Sequence, residues 1–249
     1  CLTLGAPALA AQTAPRSGRE VVERMHAAYE GKWYRNLTFV QTTTINRAGA
    51  APTEQTWYET MAAPGLLRID IADPDSGNGA IYTRDSLFAV RGGTVVRRLG
   101  GGNPFLPLIM GVYVQPPEET VTELEAYHYD LSKVMVEGSG ASAVWVVGTT
   151  TPGDTVTPQF RVEPGRLVVT RIIAEVAPNV VMDADLGGYV AVGPAWLATT
   201  VKIGLPGGRS QEETYRDWRA NRNLPAGFFD PAQWLKVPHW AHEEHSRSD

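Results

Sequence analysis

The chain has 249 residues, 43% of them hydrophobic, and a formal net charge of −5 at pH 7. This length and apolar content suffice for one large domain or two small ones. The acidic balance, with only short basic clusters at Arg97-Arg98 and between Arg216 and Arg222, argues against a nucleic-acid partner.

The first residues have the composition of an export signal. Residues 1–10 read "CLTLGAPALA", and Ala8-Leu9-Ala10 fits an A-x-A cleavage site. We interpret 1–10 as a signal-peptide remnant and expect a periplasmic protein that starts near Ala11. In the alternative, the sole cysteine, Cys1, is a lipidated first residue, but Leu2-Thr3-Leu4 is not the polar tether that lipidation favours. A single cysteine also excludes an internal disulfide.

The next segment has helical periodicity. Ser17 can cap a helix from Gly18 to about Gly31, with Glu20 in the capping-box position. Glycine at position 31 favours termination there. One apolar stripe at helical spacing comprises Val21, Val22, Met25, Ala28 and Tyr29.

Beyond this helix, apolar and polar residues alternate with a period of two, which is typical of strands with one apolar face. Glycine-bearing turns separate these runs and predict about ten or eleven antiparallel strands. The class is α+β, mainly β, with one curled sheet over residues 11–234 and a flexible tail over 235–249. The alternating runs include Leu37–Ile45, Leu67–Ile71, Phe88–Val90, Phe160–Val162 and Leu197–Leu205.

A strongly apolar segment, "NPFLPLIMGVYV", interrupts the strand pattern at 103–114. It follows Gly100-Gly101-Gly102, and from Pro104 its only polar side-chain group is the hydroxyl of Tyr113. Asn103 can cap a short helix here, and both early prolines suit an opening turn. A curled sheet needs cover on its open side, so we expect this segment to supply it. A second helix is predicted from Pro117 to about Tyr127.

Catalytic and metal-binding signatures are weak. The sequence contains no G-x-S-x-G, H-E-x-x-H or P-loop motif. Asp183 and Asp185 could pair as acid and base, although a solvated strand edge is commoner. His239, His242 and His245 are spaced three apart and could hold a metal, but we interpret them as part of a frayed tail. No cofactor or metal is expected. A large apolar sheet face without a catalytic cluster favours a container for a ligand.

Several stretches resemble the LolA/LolB-type periplasmic lipoprotein carriers and their outer membrane lipoprotein-sorting relatives, from about Val21 to Trp234. "YEGKWYRNLTFVQ" is similar to the family's first helix and strand, and "IYTRDSLFAVRGG" to its strand pair before the lid. "NPFLPLIMG" resembles the lid, and "YRDWRANRNLPAGFFDPAQW" the closing strand and ending. One departure concerns the lid latch. The carriers usually place an arginine before a proline of the third strand, whereas Ala63 precedes Pro64 here and Arg68 is out of register.

The resemblance implies an unclosed antiparallel β-barrel with a helical lid over an apolar cavity. It implies a non-enzymatic, monomeric carrier of lipoprotein acyl chains or another lipid, with inner- or outer-membrane lipoprotein-sorting components as possible partners. A periplasmic sensor of envelope stress with the same cavity is the alternative, and an enzyme is a weaker one. The expected cavity and lid residues are Phe39, Trp57, Leu67, Ile69, Phe88, Val90, Phe105, Leu108, Ile109, Met110 and Phe160.

Overall fold

The structure is a computed structural model that describes residues 13–245, with side chains described as far as His242. The predicted signal-peptide remnant at 1–10 lies outside the described residues. One sheet of thirteen strands dominates the fold, and every pair of neighbours is antiparallel. The first six strands are β1 (Asn36–Asn46), β2 (Thr53–Ala62), β3 (Leu66–Ile71), β4 (Gly79–Tyr82), β5 (Ser86–Arg91) and β6 (Thr94–Gly100).

The remaining strands of the large sheet follow the helical middle of the chain. They are β7 (Val134–Glu137), β8 (Val144–Val147), β9 (Gln159–Glu163), β10 (Val168–Ala177), β11 (Val180–Gly187), β14 (Thr200–Leu205) and β15 (Arg209–Ala220). The spatial order is β6-β5-β4-β3-β2-β1-β15-β14-β11-β10-β9-β8-β7, so β6 and β7 are edges and the barrel is not closed. The predicted antiparallel, unclosed architecture is confirmed.

The strand count is higher than predicted. A separate hairpin, β12 (Val190–Val192) with β13 (Ala195–Leu197), stands apart from the large sheet. The run Leu197–Leu205, predicted as one strand, is therefore divided between β13 and β14. Three-residue strands cover barely one alternation of the pattern, so periodicity cannot detect them.

Helix α1 (Gly18–Tyr29) begins as predicted, because the Ser17 hydroxyl accepts a hydrogen bond from the Glu20 amide at 3.2 Å. The Glu20 carboxylate accepts a hydrogen bond from the Arg16 amide at 2.8 Å. In a regular capping box this bond would come from the Ser17 amide, so the motif is displaced by one residue. Val21, Val22 and Met25 are fully buried against the concave face of the sheet. None of the described helices is long and apolar enough to span a membrane.

The helical middle of the chain lies between β6 and β7. It comprises a π-helical turn (Pro107–Gly111), α2 (Val112–Val114) and α3 (Pro117–Ala126). The predicted second helix is thus confirmed as α3. Contacts between α1, α2 and α3 bury an apolar cluster on the half of the concave face formed by β8 to β11. The half formed by β1 to β3 carries a second cluster, which includes Leu106, Met110 and the β12–β13 hairpin.

The convex face of β1 to β3 is covered by the chain that follows β15. Trp234 is 1% exposed, and beyond it His239 is 6%, Trp240 4% and Ala241 3% exposed. A short helix, α4 (Trp240–His245), follows. The expectation of a loosely attached tail after Trp234 is therefore wrong for these residues. The local sequence is charged and lacks a strand pattern, but its aromatic residues fill a groove that only the assembled sheet creates.

Candidate ligand cavity

A cavity of about 880 Å³ lies on the concave side of the sheet. Strands β1 to β4 form one wall, and β10, β11, β14 and β15 form the opposite wall. The segment at 103–114, called the apolar segment below, and the β12–β13 hairpin cover the space between them. Because strand side chains alternate, every second residue of β1, β2 and β3 reaches the cavity, as Trp57, Glu59 and Met61 do on β2.

The apolar segment enters over the cavity through an Asn103 turn. The Asn103 side-chain oxygen accepts a hydrogen bond from the Phe105 amide at 2.9 Å and so forms a turn ahead of the helical residues. Asn103 was predicted to cap the helix, but the N-cap position is held by Leu106 and no side chain caps it. Two faces of the segment differ in burial. Leu108 is fully buried and Met110 is 2% exposed, whereas Phe105 and Ile109 are half-buried. Phe105, Leu108 and Ile109 all reach the cavity lining. The segment therefore presents one face to the protein core and another to open space.

Arg84, in the turn between β4 and β5, contacts both flanks of the apolar segment. Its guanidinium donates to Gln115 at 3.0 Å and to Glu119 at 2.9 Å, and it lies 3.3 Å from Glu123. At the other flank, a Cβ at Gly102 would lie 2.5 Å from the Arg84 carbonyl oxygen, so only glycine fits this approach. One turn thus holds both the entrance and the exit of the segment.

The residue before Pro64, where the carriers usually have the arginine that latches the lid, is Ala63. Ala63 cannot donate a hydrogen bond from its side chain, and Arg68 lies on the convex face, 1% exposed. Its guanidinium donates to both Asp70 oxygens at 2.8 and 2.9 Å and lies over the rings of Phe228 and Trp234. Arg68 therefore contacts the C-terminal chain instead of the apolar segment.

The structure brings together seven of the eleven side chains predicted to form the site. Phe39, Trp57, Leu67, Ile69, Phe105, Leu108 and Ile109 all line the cavity. Met110 and Phe160 are buried in the two apolar clusters and are not part of the lining. The ligand-binding role of the lining residues remains a prediction.

Phe88 and Val90 lie on the opposite face of the sheet from the cavity. Val90 packs with Ile81 and Trp234, and Phe88 is directly opposite Ile81 in the β4–β5 register. Leu87, the residue before Phe88, faces the cavity instead. The sequence predicted the reverse orientation because it assumed a single apolar face, whereas the C-terminal chain makes the convex face apolar as well.

A polar patch interrupts the apolar lining on three neighbouring strands. Glu59 on β2, Gln41 on β1 and Glu213 on β15 are all buried and all line the cavity. Gln41 lies in register with Trp57 on one side and Tyr215 on the other. Glu59 and Glu213 are each two residues from these partners, so both are diagonal neighbours of Gln41, one on each side. The Tyr215 hydroxyl and the Gln211 amide both donate to the Glu213 carboxylate.

Glu59 differs from Glu213 in having no hydrogen-bond donor among the described residues. Glu59 is only 6% exposed, and its side chain lies on the same face of β2 as those of Trp57 and Met61. Burial raises the pKa of Glu59 well above its ordinary value of 4.5, and the negative charges of Glu213 and Asp70 add to this. Burial also raises the pKa of Glu213, although the donors from Tyr215 and Gln211 oppose the shift.

Sequence reasoning missed this patch, although a signal was present. The run Trp57, Glu59, Met61 places a carboxylate in the middle of an apolar face. A charged residue at such a position is unusual, because burial of an unpaired charge is costly. The β12–β13 hairpin also contributes Trp196 and Leu197 to the lining, and its three-residue strands are too short for the alternating pattern to identify.

The other chemical candidates are engaged elsewhere. Arg171 donates to Asp183 at 2.8 Å and lies 3.7 Å from Asp185, so this pair forms an ion-paired strand surface. His239 contacts Asp70 at 3.1 Å, and His242 contacts Asp75 at 3.0 Å. The side chain of His245 lies outside the described residues. Among those described, no group of three or more histidine, cysteine or acidic side chains is arranged to hold a metal.

Comparison with solved structures finds the same architecture in several bacterial proteins. A DUF1329 family protein from Desulfovibrio piger aligns with 86% of this chain and 95% of its own, at 14% identity and a TM-score of 0.55. A LolA superfamily protein from Nitrosomonas europaea aligns with 86% of this chain and 97% of its own, at 11% identity and a TM-score of 0.54. A protein from Vibrio parahaemolyticus, described as an outer membrane lipoprotein-sorting protein domain, aligns with 88% of this chain and 98% of its own, at 11% identity and a TM-score of 0.52.

At the level of sequence, no protein-family model and no curated protein matches this chain. The structural similarities nevertheless extend over nearly the full length of each compared protein. They show that the chain has the LolA-like fold, as its sequence motifs suggested.

Proposed function

We propose that the protein is a non-enzymatic periplasmic binding protein that carries the acyl chains of lipoproteins, or another apolar ligand. One observation carries the proposal. A cavity of about 880 Å³, lined mainly by apolar side chains, lies under an apolar segment that is only partly embedded in the core. Its size falls in the range of about 300–1,000 Å³ that is usual for small-molecule sites.

The binding energy would come from removal of apolar surface from water. An acyl chain gains about 0.8 kcal/mol for each methylene group that is buried. Phe39, Leu67 and Ile69 offer such a surface on one wall, and Val201 and Ile203 offer it on the other. The lipoprotein-sorting description of one protein of the same fold supports acyl chains as the ligand class and sorting components as partners.

The apolar segment would act as the lid. Phe105 and Ile109 already touch the cavity, so a ligand could replace their contacts as the segment moves outward. The segment would turn at Gly100 and Gly101, where a Cβ would meet no atom within 4 Å, while Gly102 is held close to Arg84. This movement would break the hydrogen bond from the Gly101 amide to Asp85. A lid that settles back into the empty cavity recovers part of the lost contact energy, which would permit release.

Displacement of a fluorescent hydrophobic dye by fatty acids would test the proposal. We expect displacement at micromolar concentrations, below the critical micelle concentration, and a matching increase in melting temperature. Mass spectrometry of lipid that co-purifies with the native protein would identify the class. A dye that enters but cannot be displaced by any acyl compound would contradict the proposed function.

A further inference from the structure

Glu59 is a buried carboxyl group without a donor, in the wall of an apolar cavity. Its residue is 6% exposed, and no hydrogen bond reaches its side chain from any described residue. Buried carboxyl groups are normally paired, because the loss of hydration is costly. The Glu213 carboxylate follows that rule, since Tyr215 and Gln211 both donate to it. Among the described carboxyl groups that line the cavity, Glu59 therefore has both acceptor oxygens without a donor.

Apart from tyrosines and His128, the titratable side chains among the described lining residues are all acids. Glu59, Glu213 and Glu175 are the acidic lining residues, and no lysine or arginine is among the described lining residues. The field inside the cavity therefore favours a positive charge. A bound ammonium group would stabilise the ionised form of these acids, whereas a fatty-acid carboxylate would be repelled by that form.

Aromatic rings complete the surroundings of Glu59. Phe39 lies directly opposite Glu59 in the β1–β2 register, and Trp57 is an adjacent residue of β2 that also faces the cavity. Tyr82 is close enough for the Glu59 charge to raise the pKa of its hydroxyl, although burial is the larger cause. Aromatic faces next to a carboxylate are a usual environment for a bound ammonium group.

We infer that Glu59, supported by Gln41 and Glu213, is the binding site for a positively charged nitrogen on an amphiphilic ligand. The inference rests on the proposed function, because the apolar walls would hold the chains of the same ligand. It adds a chemical class, an amphiphile with an amine head group inside the cavity. The Glu59 oxygens would accept hydrogen bonds from the ammonium, and Gln41 would offer its carbonyl oxygen beside them.

Competition with three probes of equal chain length would test the inference. Dodecylamine, dodecanol and dodecanoate would each displace a hydrophobic dye from the full chain at pH 8, where the amine is still protonated. We expect dodecylamine to bind about 10- to 100-fold more tightly than dodecanol, as charge-assisted hydrogen bonds contribute. Equal affinities of amine and alcohol would overturn the inference while leaving the proposed function intact. Failure of all three probes would overturn both.

Variants would assign the preference to Glu59. Glu59→Gln should abolish the amine preference, whereas Glu59→Asp should retain most of it. Glu212→Gln is the matched control, because Glu212 is exposed, adjacent to Glu213 and on the opposite face of β15. An amine preference that persists in folded Glu59→Gln would refute the assignment. If that variant does not fold, calorimetry of the wild type in buffers of different ionisation enthalpy decides, since ammonium binding should release a proton from Glu59.

Discussion

The Nε2 atom of His239 lies 3.1 Å from Oδ2 of Asp70, although 169 positions separate them in the chain. This contact closes a buried array on the convex face of the sheet. Asp70 also accepts two hydrogen bonds from Arg68, and Trp240, next to His239, donates to the Thr60 hydroxyl at 2.8 Å. The C-terminal chain is thus an integral layer of the fold.

Truncation of this layer should destabilise the protein. Trp240→Ala removes a side chain that is 4% exposed together with its hydrogen bond, so we expect a loss of about 3–5 kcal/mol in the free energy of unfolding. Lys236→Ala, at an exposed position of the same chain, should change it by less than about 0.5 kcal/mol. Urea denaturation measures both. Equal stability of Trp240→Ala and wild type would mean that the C-terminal chain is not docked in solution.

Arg68 and Arg84 should differ sharply in their contribution to stability. Arg68→Ala would leave the fully buried Asp70 without its main partner, which we expect to cost about 3–5 kcal/mol. The Arg84 side chain is 42% exposed, so its ion pair with Glu119 should contribute only about 0–1 kcal/mol. Similar denaturation midpoints for the two alanine variants would contradict this.

Arg84→Ala should instead affect the mobility of the apolar segment. Loss of the contacts to Gln115 and Glu119 frees one flank, so amide hydrogen exchange across 103–115 should accelerate while exchange in β1 and β2 stays unchanged. Dye entry should become faster in the same variant. Lys133→Ala removes another exposed ion pair, with Asp130, away from the segment, and should leave both rates unchanged.

Neighbouring residues of the apolar segment should respond differently to a charge. Leu108 is fully buried in the core, so Leu108→Asp should unfold the domain or cost several kcal/mol. Ile109 faces the cavity, so in Ile109→Asp the segment can swing outward and the charge becomes hydrated. We expect Ile109→Asp to remain folded by circular dichroism and to retain fatty acids poorly. Unfolding of both variants would show that the segment is ordinary core and not a lid.

Glu59 should make stability depend on pH. Its pKa is raised by burial above the ordinary value of 4.5, so at intermediate pH the folded state binds one proton more than the unfolded state. The free energy of unfolding should therefore decrease as pH rises from 4.5 through the raised pKa, by up to about 1.4 kcal/mol per pH unit. Glu59→Gln should lose this part of the slope, and Glu212→Gln should keep it. Urea denaturation between pH 5 and pH 8 provides the test.

The sequence determined the local features whose cause lies within a few residues. Ser17 caps α1 because its hydroxyl reaches the Glu20 amide three positions later. The alternation in β1 and β3 follows from the pleat, which sends successive side chains to opposite faces. The apolar composition of 103–114 likewise predicted a buried segment, and Asn103 predicted its entrance.

Tertiary structure alone decided which face of each strand meets the cavity. Phe88 and Leu87 are both apolar, but Leu87 faces the cavity and Phe88 the convex side, where its strand neighbour Val90 packs on Trp234 of the C-terminal chain. The convergence of Glu59, Gln41 and Glu213 depends on the pairing of β1 with β2, which follows it, and with β15, which is far away in the chain. Local periodicity carries no information about such pairing, because register and sheet order are set by contacts between distant segments.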